Sequence, residues 1–188
     1  MTKACAVSLF IQRGLSLVEV LVFIVVVGIA VTGVMAVYTH NVRTSADPMV
    51  RKQALSVAES LLDEVLAKPY TYCDPDDANA DTAVNAAGCA TMPEITGPEN
   101  ASETRYASLT PFDNVNDYHG FTMTGINDLM GNPVAGLGSF NAAVQVASAG
   151  IYNDIPAGET LLVTVTVTGP GNHSVSLSGY RTRYAPTI

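Results

Sequence analysis

Arg13-Gly14-Leu15-Ser16-Leu17-Val18-Glu19 opens the one long apolar run of this chain, and that run decides the fold class. No charged residue follows Glu19 until Arg43. As a helix, residues 20–38 would span about 28 Å, close to the roughly 30 Å hydrocarbon core of a bilayer. A second run of this kind does not occur in the sequence. The sequence therefore predicts a single membrane crossing.

Glu19 is the unusual residue of this run. An ionised side chain costs up to about 2.5–3.5 kcal/mol at the bilayer centre and less near the ends of the span. Such a charge predicts a cationic partner, and Arg13 and the Gly14-Leu15 bond lie just upstream. Two simpler interpretations stay open, namely that the carboxylate reaches the lipid headgroups or that it caps the start of the helix.

Composition allows one membrane anchor and one ordinary domain in the 188 residues. Hydrophobic residues make up 48% of the chain and charged residues only 14%, and the apolar run accounts for much of that excess. The net charge of −8 argues against nucleic-acid binding through a basic surface. Lys3 and Arg13 precede the span, which predicts a cytoplasmic N-terminus and an exported remainder, although Arg43 and Arg51 weaken this contrast.

Residues 1–14 are interpreted as a leader that is removed and takes no part in the fold. The apolar span then covers residues 15–38, and the exported domain covers residues 39–188. An ordinary secretory signal is the alternative, because Val34-Met35-Ala36 is an acceptable small-residue cleavage site. The apolar run is longer than a typical signal core, and its pattern continues into a second helix, which favours retention.

An amphipathic helix is predicted at about residues 47–68. Asp47 can cap it, and Pro48 suits the first helical position, so a kink or break is expected near residues 45–47. Its apolar residues recur at three- and four-residue steps and form one stripe: Val50, Ala54, Val57, Ala58, Leu61, Leu62 and Val65. Glu64 and Lys68 are expected to form an ion pair along the helix, which Pro69 ends.

The rest of the exported domain is predicted to be a loop followed by a β-sheet. Residues 70–116 are rich in Asp, Asn, Gly, Thr and Pro and show no period. Strand-like patterns occupy about residues 118–184, at 118–126, 140–148, 160–168 and 173–184. The last two form a hairpin around a Gly-Pro-Gly-Asn turn. The expectation is an α+β domain with three or four antiparallel strands packed on the amphipathic helix, and with 160–168 as an internal strand.

The three cysteines divide between the two sides of the predicted span. Cys5 precedes the span, whereas Cys73 and Cys89 follow it, where a disulfide can persist. Pairing of Cys73 with Cys89 would close a loop of about 15 residues and contribute about 3 kcal/mol in the chain-entropy model. Two free thiols are the alternative.

No pattern in the sequence indicates catalysis. His40, His119 and His173 are scattered and have no metal-like spacing to cysteine, and no phosphate loop or serine-nucleophile motif occurs. Acidic residues gather at 74–81 and again at Asp113 and Asp117. Oxygen ligands suit calcium, but the glycine and the terminal glutamate of an EF-hand loop are missing. These acids are therefore interpreted as solvated loop charge, with no metal, no cofactor and no enzymatic activity expected.

The leader and its surroundings match a known pattern. Arg13-Gly14 followed by Leu15-Ser16-Leu17-Val18-Glu19-Val20-Leu21 resembles the type IV pilin family in the broad sense that includes pseudopilins. The resemblance implies that a prepilin peptidase cuts between Gly14 and Leu15 and methylates the new amine of Leu15. Phenylalanine is commoner at that position. The resemblance also implies that Glu19 pairs with the N-terminal amine of a neighbouring subunit, while pairing with the amine of its own Leu15 stays open.

Later strings resemble minor pilins of the mannose-sensitive haemagglutinin (MSHA) pilus. They include residues 44–48, residues 58–70 and Phe112-Asp113-Asn114-Val115-Asn116-Asp117-Tyr118-His119-Gly120. The resemblance implies a pilin-like fold, a precursor in the inner membrane with a periplasmic domain, and a final place in a pilus at the cell surface. The implied partners are other pilin subunits, the prepilin peptidase and the inner membrane. A pseudopilin of a type II secretion system and a membrane-anchored adhesin are the alternatives.

Overall fold

The computed structural model describes residues 16–184, without the side chains of residues 41–47. Its regular elements are one long helix, α1 (Leu17–Leu66), and four strands: β1 (Thr122–Thr124), β2 (Asn141–Ser148), β3 (Thr160–Gly169) and β4 (His173–Thr182). The described chain divides into two compact units between Ala46 and Asp47, and α1 contributes to both. An α+β fold is therefore confirmed.

The predicted helix boundary at Asp47 coincides with the division of the chain into two compact units. The helix assignment runs without a break from Leu17 to Leu66, and Pro48 lies inside it rather than at its first position. A proline inside a helix removes one backbone donor and crowds the preceding turn, so Pro48 weakens the helix next to that boundary. The C-terminal end agrees with the prediction, because Pro69 follows the last helical turn and cannot continue it.

One face of α1 forms one side of the hydrophobic core. Ala54, Ala58, Leu61 and Val65 are buried and follow each other at steps of four, three and four residues, as expected for one helical stripe. The two alanines allow the helix backbone to approach the sheet closely. The inward side chains of the strands pack against this stripe: Met123, Ala142, Val144, Val146, Leu161, Val163, Val165 and Val167.

The sheet is antiparallel, and its strands lie in the order β1-β2-β3-β4. Val165 of β3 lies between Val144 of β2 and Leu177 of β4, so the strand predicted at 160–168 is internal, as expected. Its threonines alternate to the other face. There the hydroxyl groups of Thr166 and Ser176 lie 2.7 Å apart across the β3–β4 pair.

The first predicted strand, 118–126, is much shorter than expected. Only β1 (Thr122–Thr124) pairs with β2. Tyr118 belongs instead to a short 3-10 helix, Asn116–Tyr118. Gly120 and Gly125 flank β1 with φ angles of +76° and +73°, which glycine adopts without a Cβ clash and which interrupt the extended backbone.

Candidate functional site

The N-terminal part of α1 presents an apolar surface with no covering residues. Leu17–His40 is a 24-residue stretch that is long and apolar enough to cross a membrane, and none of it is buried. Exposed apolar residues occur all around the helix rather than on one stripe, among them Leu21, Phe23, Ile24 and Val34. Because water solvates such a surface poorly, an apolar environment would stabilise this segment.

Ser16 directly precedes the first helical residue, Leu17, and caps the helix. Its Oγ accepts a hydrogen bond from the backbone N–H of Glu19 over 3.3 Å, and its carbonyl accepts one from Val20 over 3.2 Å. This satisfies a donor that the helix start would otherwise leave unpaired. A carboxylate in the first turn, such as that of Glu19, is also favoured by the helix dipole.

The carboxylate of Glu19 is exposed, and within residues 16–184 it accepts no hydrogen bond and forms no ion pair. Capping of the helix start by Ser16 is thus observed, but a return bond from the Glu19 side chain is not. The predicted cleavage site, Gly14 and Leu15, lies outside the described residues, as does Cys5. Processing there stays a prediction.

The disulfide predicted between Cys73 and Cys89 is present, with a Cα–Cα distance of 5.5 Å. Cys73 is almost fully buried, and its backbone forms an isolated bridge to Pro93. The disulfide therefore ties the start of the long loop to its own return segment.

Asp77 closes the same loop through its carboxylate. Its Oδ1 accepts N–H groups from Asn79 and Ala90 over 2.8 and 2.9 Å. Its Oδ2 accepts those of Thr91 and Met92 over 2.7 and 2.8 Å. Backbone hydrogen bonds to the ionised form, the largest from Ala90, hold the pKa of Asp77 well below its usual range.

Replacing Asp77 with asparagine should lower the thermal unfolding midpoint at pH 7. Because the folded protein depresses the pKa of Asp77, its contribution to stability is present above the ordinary carboxyl pKa of about 4 and is lost as the pH falls below it. Calorimetric melts of wild type and Asp77→Asn should therefore converge toward pH 2.5. Asp81→Asn, at an exposed acid in the same loop, should melt like the wild type. A difference that is constant from pH 7 to 2.5 would contradict this explanation.

The sequence predicted an ion pair between Glu64 and Lys68, and this prediction is wrong. Both carboxylate oxygens of Glu64 instead accept from Arg105, at 2.7 Å to Nε and 2.7 Å to Nη2. Tyr118 donates its hydroxyl to Glu64 Oε1 over 2.8 Å, and Arg105 Nη1 donates to the carbonyl groups of Asn127 and Asp128. A planar guanidinium with two bonds competes well against a flexible ammonium on the helix surface.

A second group of acids, here called the carboxylate cluster, lies in the loop region. Its carboxylates form overlapping sets of three, and within each set the oxygen atoms lie within 4.8 Å of one another. The members are Asp74, Asp76, Glu94, Glu99, Glu103, Asp113 and Asp117. Asp74, Glu103 and Asp117 are buried. The interpretation of these acids as solvated loop charge is therefore wrong for the centre of the cluster, because the loop folds over them.

Burial raises the pKa of several members of the cluster. Loss of hydration is the first cause in each case, and neighbouring carboxylates add to it. The pKa of Glu94 is raised to about 9, that of Glu103 to about 8, that of Asp113 to about 7 and that of Asp117 to about 6. At neutral pH the cluster thus favours bound protons or another positive charge.

His119, one of the three histidines considered in the sequence, is half-buried. Its Nδ1 lies 2.7 Å from the carbonyl oxygen of Val146. This contact positions a turn beside β2. Absence of catalysis stays an expectation. The sequence did not predict the ion pair between Glu64 and Arg105 or the burial of the acids. Loop residues have no regular spacing that would show which side chains are buried.

Comparisons with protein-family models, with curated proteins and with solved structures found no match to this chain. Its function is therefore argued from the residues themselves. The exposed apolar helix with a single carboxylate in its first turn carries the most specific information.

Proposed function

We propose that this protein is a minor pilin, that is, a structural or priming subunit of a type IV pilus. Its sequence resembles that of the D protein of the MSHA pilus. Its precursor lies in the inner membrane with the N-terminus in the cytoplasm. Prepilin peptidase removes residues 1–14 and methylates Leu15. The apolar half of α1 then leaves the bilayer and is buried again among the helices of other pilin subunits.

The observation that carries the proposal is the exposed carboxylate of Glu19 on an otherwise apolar helix. The segment Leu17–His40 needs an apolar environment on every side, which lipid supplies before assembly and neighbouring helices supply afterwards. In both places an ionised carboxylate needs a partner, and Glu19 has none within residues 16–184. A processed N-terminal amine on a neighbouring subunit is a cation of the right kind.

Processing is tested by mass spectrometry of the N-terminal peptide of protein isolated from membranes. The expected result is a chain that begins with N-methylated Leu15. A chain that still begins at Met1, or one that begins just after Ala36, would rule out the proposal. In the second case residues 1–36 would be an ordinary secretory signal.

Assembly is tested with Glu19→Ala. The amount of this variant in sheared filaments, relative to its amount in membranes, should fall about tenfold or more, as expected for the loss of one charge-assisted contact. Glu59→Ala is the matched control, because Glu59 is an exposed acid on the same helix outside the apolar segment. Equal incorporation of Glu19→Ala and wild type would contradict the assigned role.

Deletion of the gene distinguishes the pilin proposal from its nearest alternative. A minor pilin should be needed for pili, whereas a pseudopilin of a type II secretion system should be needed for protein export. Loss of secretion with normal pili would favour the pseudopilin. Normal pili and normal secretion would favour an anchored adhesin.

A further inference from the structure

The two outer strands of the sheet, β1 and β4, differ in how open their edges are. β1 has three residues, and Gly120 and Gly125 flank it with φ angles of +76° and +73°. β4 has ten residues, pairs with β3 over its whole length and contains no proline, lysine or acid. Proteins usually blunt a sheet edge with short strands, charges or proline, because an open edge pairs with other strands. β4 is therefore the edge at which a further strand can add.

The backbone register shows which groups of β4 face outward. Arg183 donates its N–H to the carbonyl of Glu159 over 2.9 Å, one step beyond the pair of Thr160 and Thr182. Hydrogen-bonded pairs alternate with non-bonded pairs in an antiparallel ladder, so the odd-numbered residues of β4 bond to β3. The even-numbered residues point their N–H and carbonyl groups away from the sheet: Ser174, Ser176, Ser178 and Tyr180. Within residues 16–184 none of these N–H or carbonyl groups has a hydrogen-bond partner.

The apolar side of this edge is only partly covered. Val175 and Leu177 are partly buried against the core, whereas Val165 of the internal strand β3 is fully buried. Leu66 of α1, also partly buried, packs on β4 at Gly179, where an added Cβ would come within 2.7 Å of the Leu66 Cδ1. A further strand with apolar residues on this face would cover Leu66, Val175 and Leu177. Removal of that apolar surface from water would favour its binding.

Arg181 lies on the same face of β4, near its end, and lacks an acceptor. Successive side chains alternate between the two faces of a strand, so Arg181 shares the side of Leu177. Its Nε is buried and has no hydrogen-bond partner within residues 16–184. Arg183, two residues further on, already pairs with Glu159, with 3.1 Å between Nη1 and Oε1. A buried charged donor without an acceptor loses hydration uncompensated, so Arg181 favours a carboxylate from outside the domain.

We propose that the free edge of β4 binds an extended segment of a partner protein that has apolar residues at alternate positions and a carboxylate opposite Arg181. The segment adds a fifth strand antiparallel to β4, and its backbone pairs with the four outward-facing residues. Its apolar side chains cover Val175 and Leu177. Residues of β4 that bond to β3 form the close, non-bonded pairs with the new strand, which brings the carboxylate next to Arg181.

A second copy of β4 fits this edge less well than a different sequence does. Residues 173–182 contain neither aspartate nor glutamate, so pairing of β4 with β4 of another copy would bring no carboxylate to Arg181. Charge complementarity therefore favours a partner strand with an acid at one end. Strand addition uses only the sheet and the end of α1, so it can occur whether or not the chain is a pilin.

The probe is a synthetic peptide with the sequence of residues 159–167, Glu-Thr-Leu-Leu-Val-Thr-Val-Thr-Val. It has the required acid and alternation, and in antiparallel register its glutamate lies opposite Arg181 while its threonines face outward. Fluorescence anisotropy of the labelled peptide with full-length protein in detergent should show saturable binding below about 1 mM. The same peptide with Thr164→Pro loses a backbone donor to β4 and should bind at least about tenfold more weakly.

Variants of the protein locate the binding edge. Ser176→Pro removes one outward-facing N–H and no bond to β3, so it should keep the fold and bind the peptide at least about tenfold more weakly. Ser176→Ala is the matched control, because it keeps the N–H, and it should bind like the wild type.

The role of Arg181 is tested separately, which also serves if Ser176→Pro fails to fold. Arg181→Gln should weaken binding of the peptide about tenfold, but should not weaken binding of the peptide that carries Gln in place of its Glu. Arg51→Gln removes the same charge from an exposed position on α1 and should leave both affinities unchanged.

Three results would overturn the proposal. The first is equal peptide affinity in wild type, Ser176→Pro and Arg181→Gln, which would show that detergent or another surface takes up the peptide. The second is no saturable binding up to about 1 mM. The third is a dimer of the full-length protein, seen by light scattering, that Ser176→Pro abolishes, because the occupant of the edge would then be a second copy.

Discussion

Replacing Arg105 with methionine should lower the thermal unfolding midpoint by roughly 10 °C, because removal of one partner of a buried ion pair costs about 3–5 kcal/mol. The side chain of Arg105 is 5% exposed and that of Glu64 is 16% exposed, so little water reaches either charge. Methionine keeps much of the volume but leaves the Glu64 carboxylate with Tyr118 as its donor. Two carbonyl groups, of Asn127 and Asp128, also lose the donor Nη1.

A double-mutant cycle separates this ion pair from general packing. Glu64→Gln combined with Arg105→Met should be much less damaging than the sum of the single changes, because the double variant buries no unpaired charge. Arg51→Met is the matched control, since Arg51 is an exposed arginine on the same helix, and its midpoint should stay near the wild-type value. Additive losses in the cycle would show that the charges act independently.

Removing the disulfide with Cys73→Ala and Cys89→Ala together should cost about 3 kcal/mol, which corresponds to a fall in the unfolding midpoint of roughly 6–12 °C. The two cysteines are 16 residues apart, and the bond restricts this loop in the unfolded chain. Alanine avoids placing a hydroxyl at the buried position of Cys73. The midpoint is measured by calorimetry on oxidised protein, and the same variant should be insensitive to a reductant.

The third cysteine supplies the control for this experiment. Cys5→Ala removes a thiol that the sequence places in the leader, and it should leave the midpoint unchanged. Alkylation before reduction should label Cys5 in the precursor and neither Cys73 nor Cys89. Labelling of the latter pair, or a midpoint loss no larger than that of Cys5→Ala, would contradict the assigned role of the disulfide.

The elements with a strict period were predictable from the sequence. The stripe through Ala54, Ala58, Leu61 and Val65 and the alternation in β3 both repeat at the spacing of their own backbone, so the buried face can be read without any knowledge of its partner. The disulfide was predictable for a different reason, since the span divides the cysteines into two groups. The boundary at Asp47 was predictable from Pro48, since a proline weakens a helix at its own position, and it coincides with the division between the two compact units.

The polar interior could not be predicted in the same way. Glu64 and Arg105 are 41 residues apart in the sequence, whereas another cation, Lys68, lies on the turn that follows Glu64. The acids of the loop share the composition of a solvated segment, yet Asp74, Glu103 and Asp117 are buried. Whether a charged side chain is solvated or buried beside another charge depends on which segments pack over it. No local sequence pattern predicts that packing.

The sequence by itself determined the exposed apolar helix with Glu19 in its first turn, the helical stripe, the β-hairpin and the cysteine pairing. Each of these depends on spacing along the chain, which the backbone geometry converts directly into a face, a strand or a loop. Only the tertiary structure decided the partner of Glu64 and the burial of the carboxylate cluster. Those outcomes depend on distances between residues remote in sequence, and the hydration lost there is set by the surrounding fold.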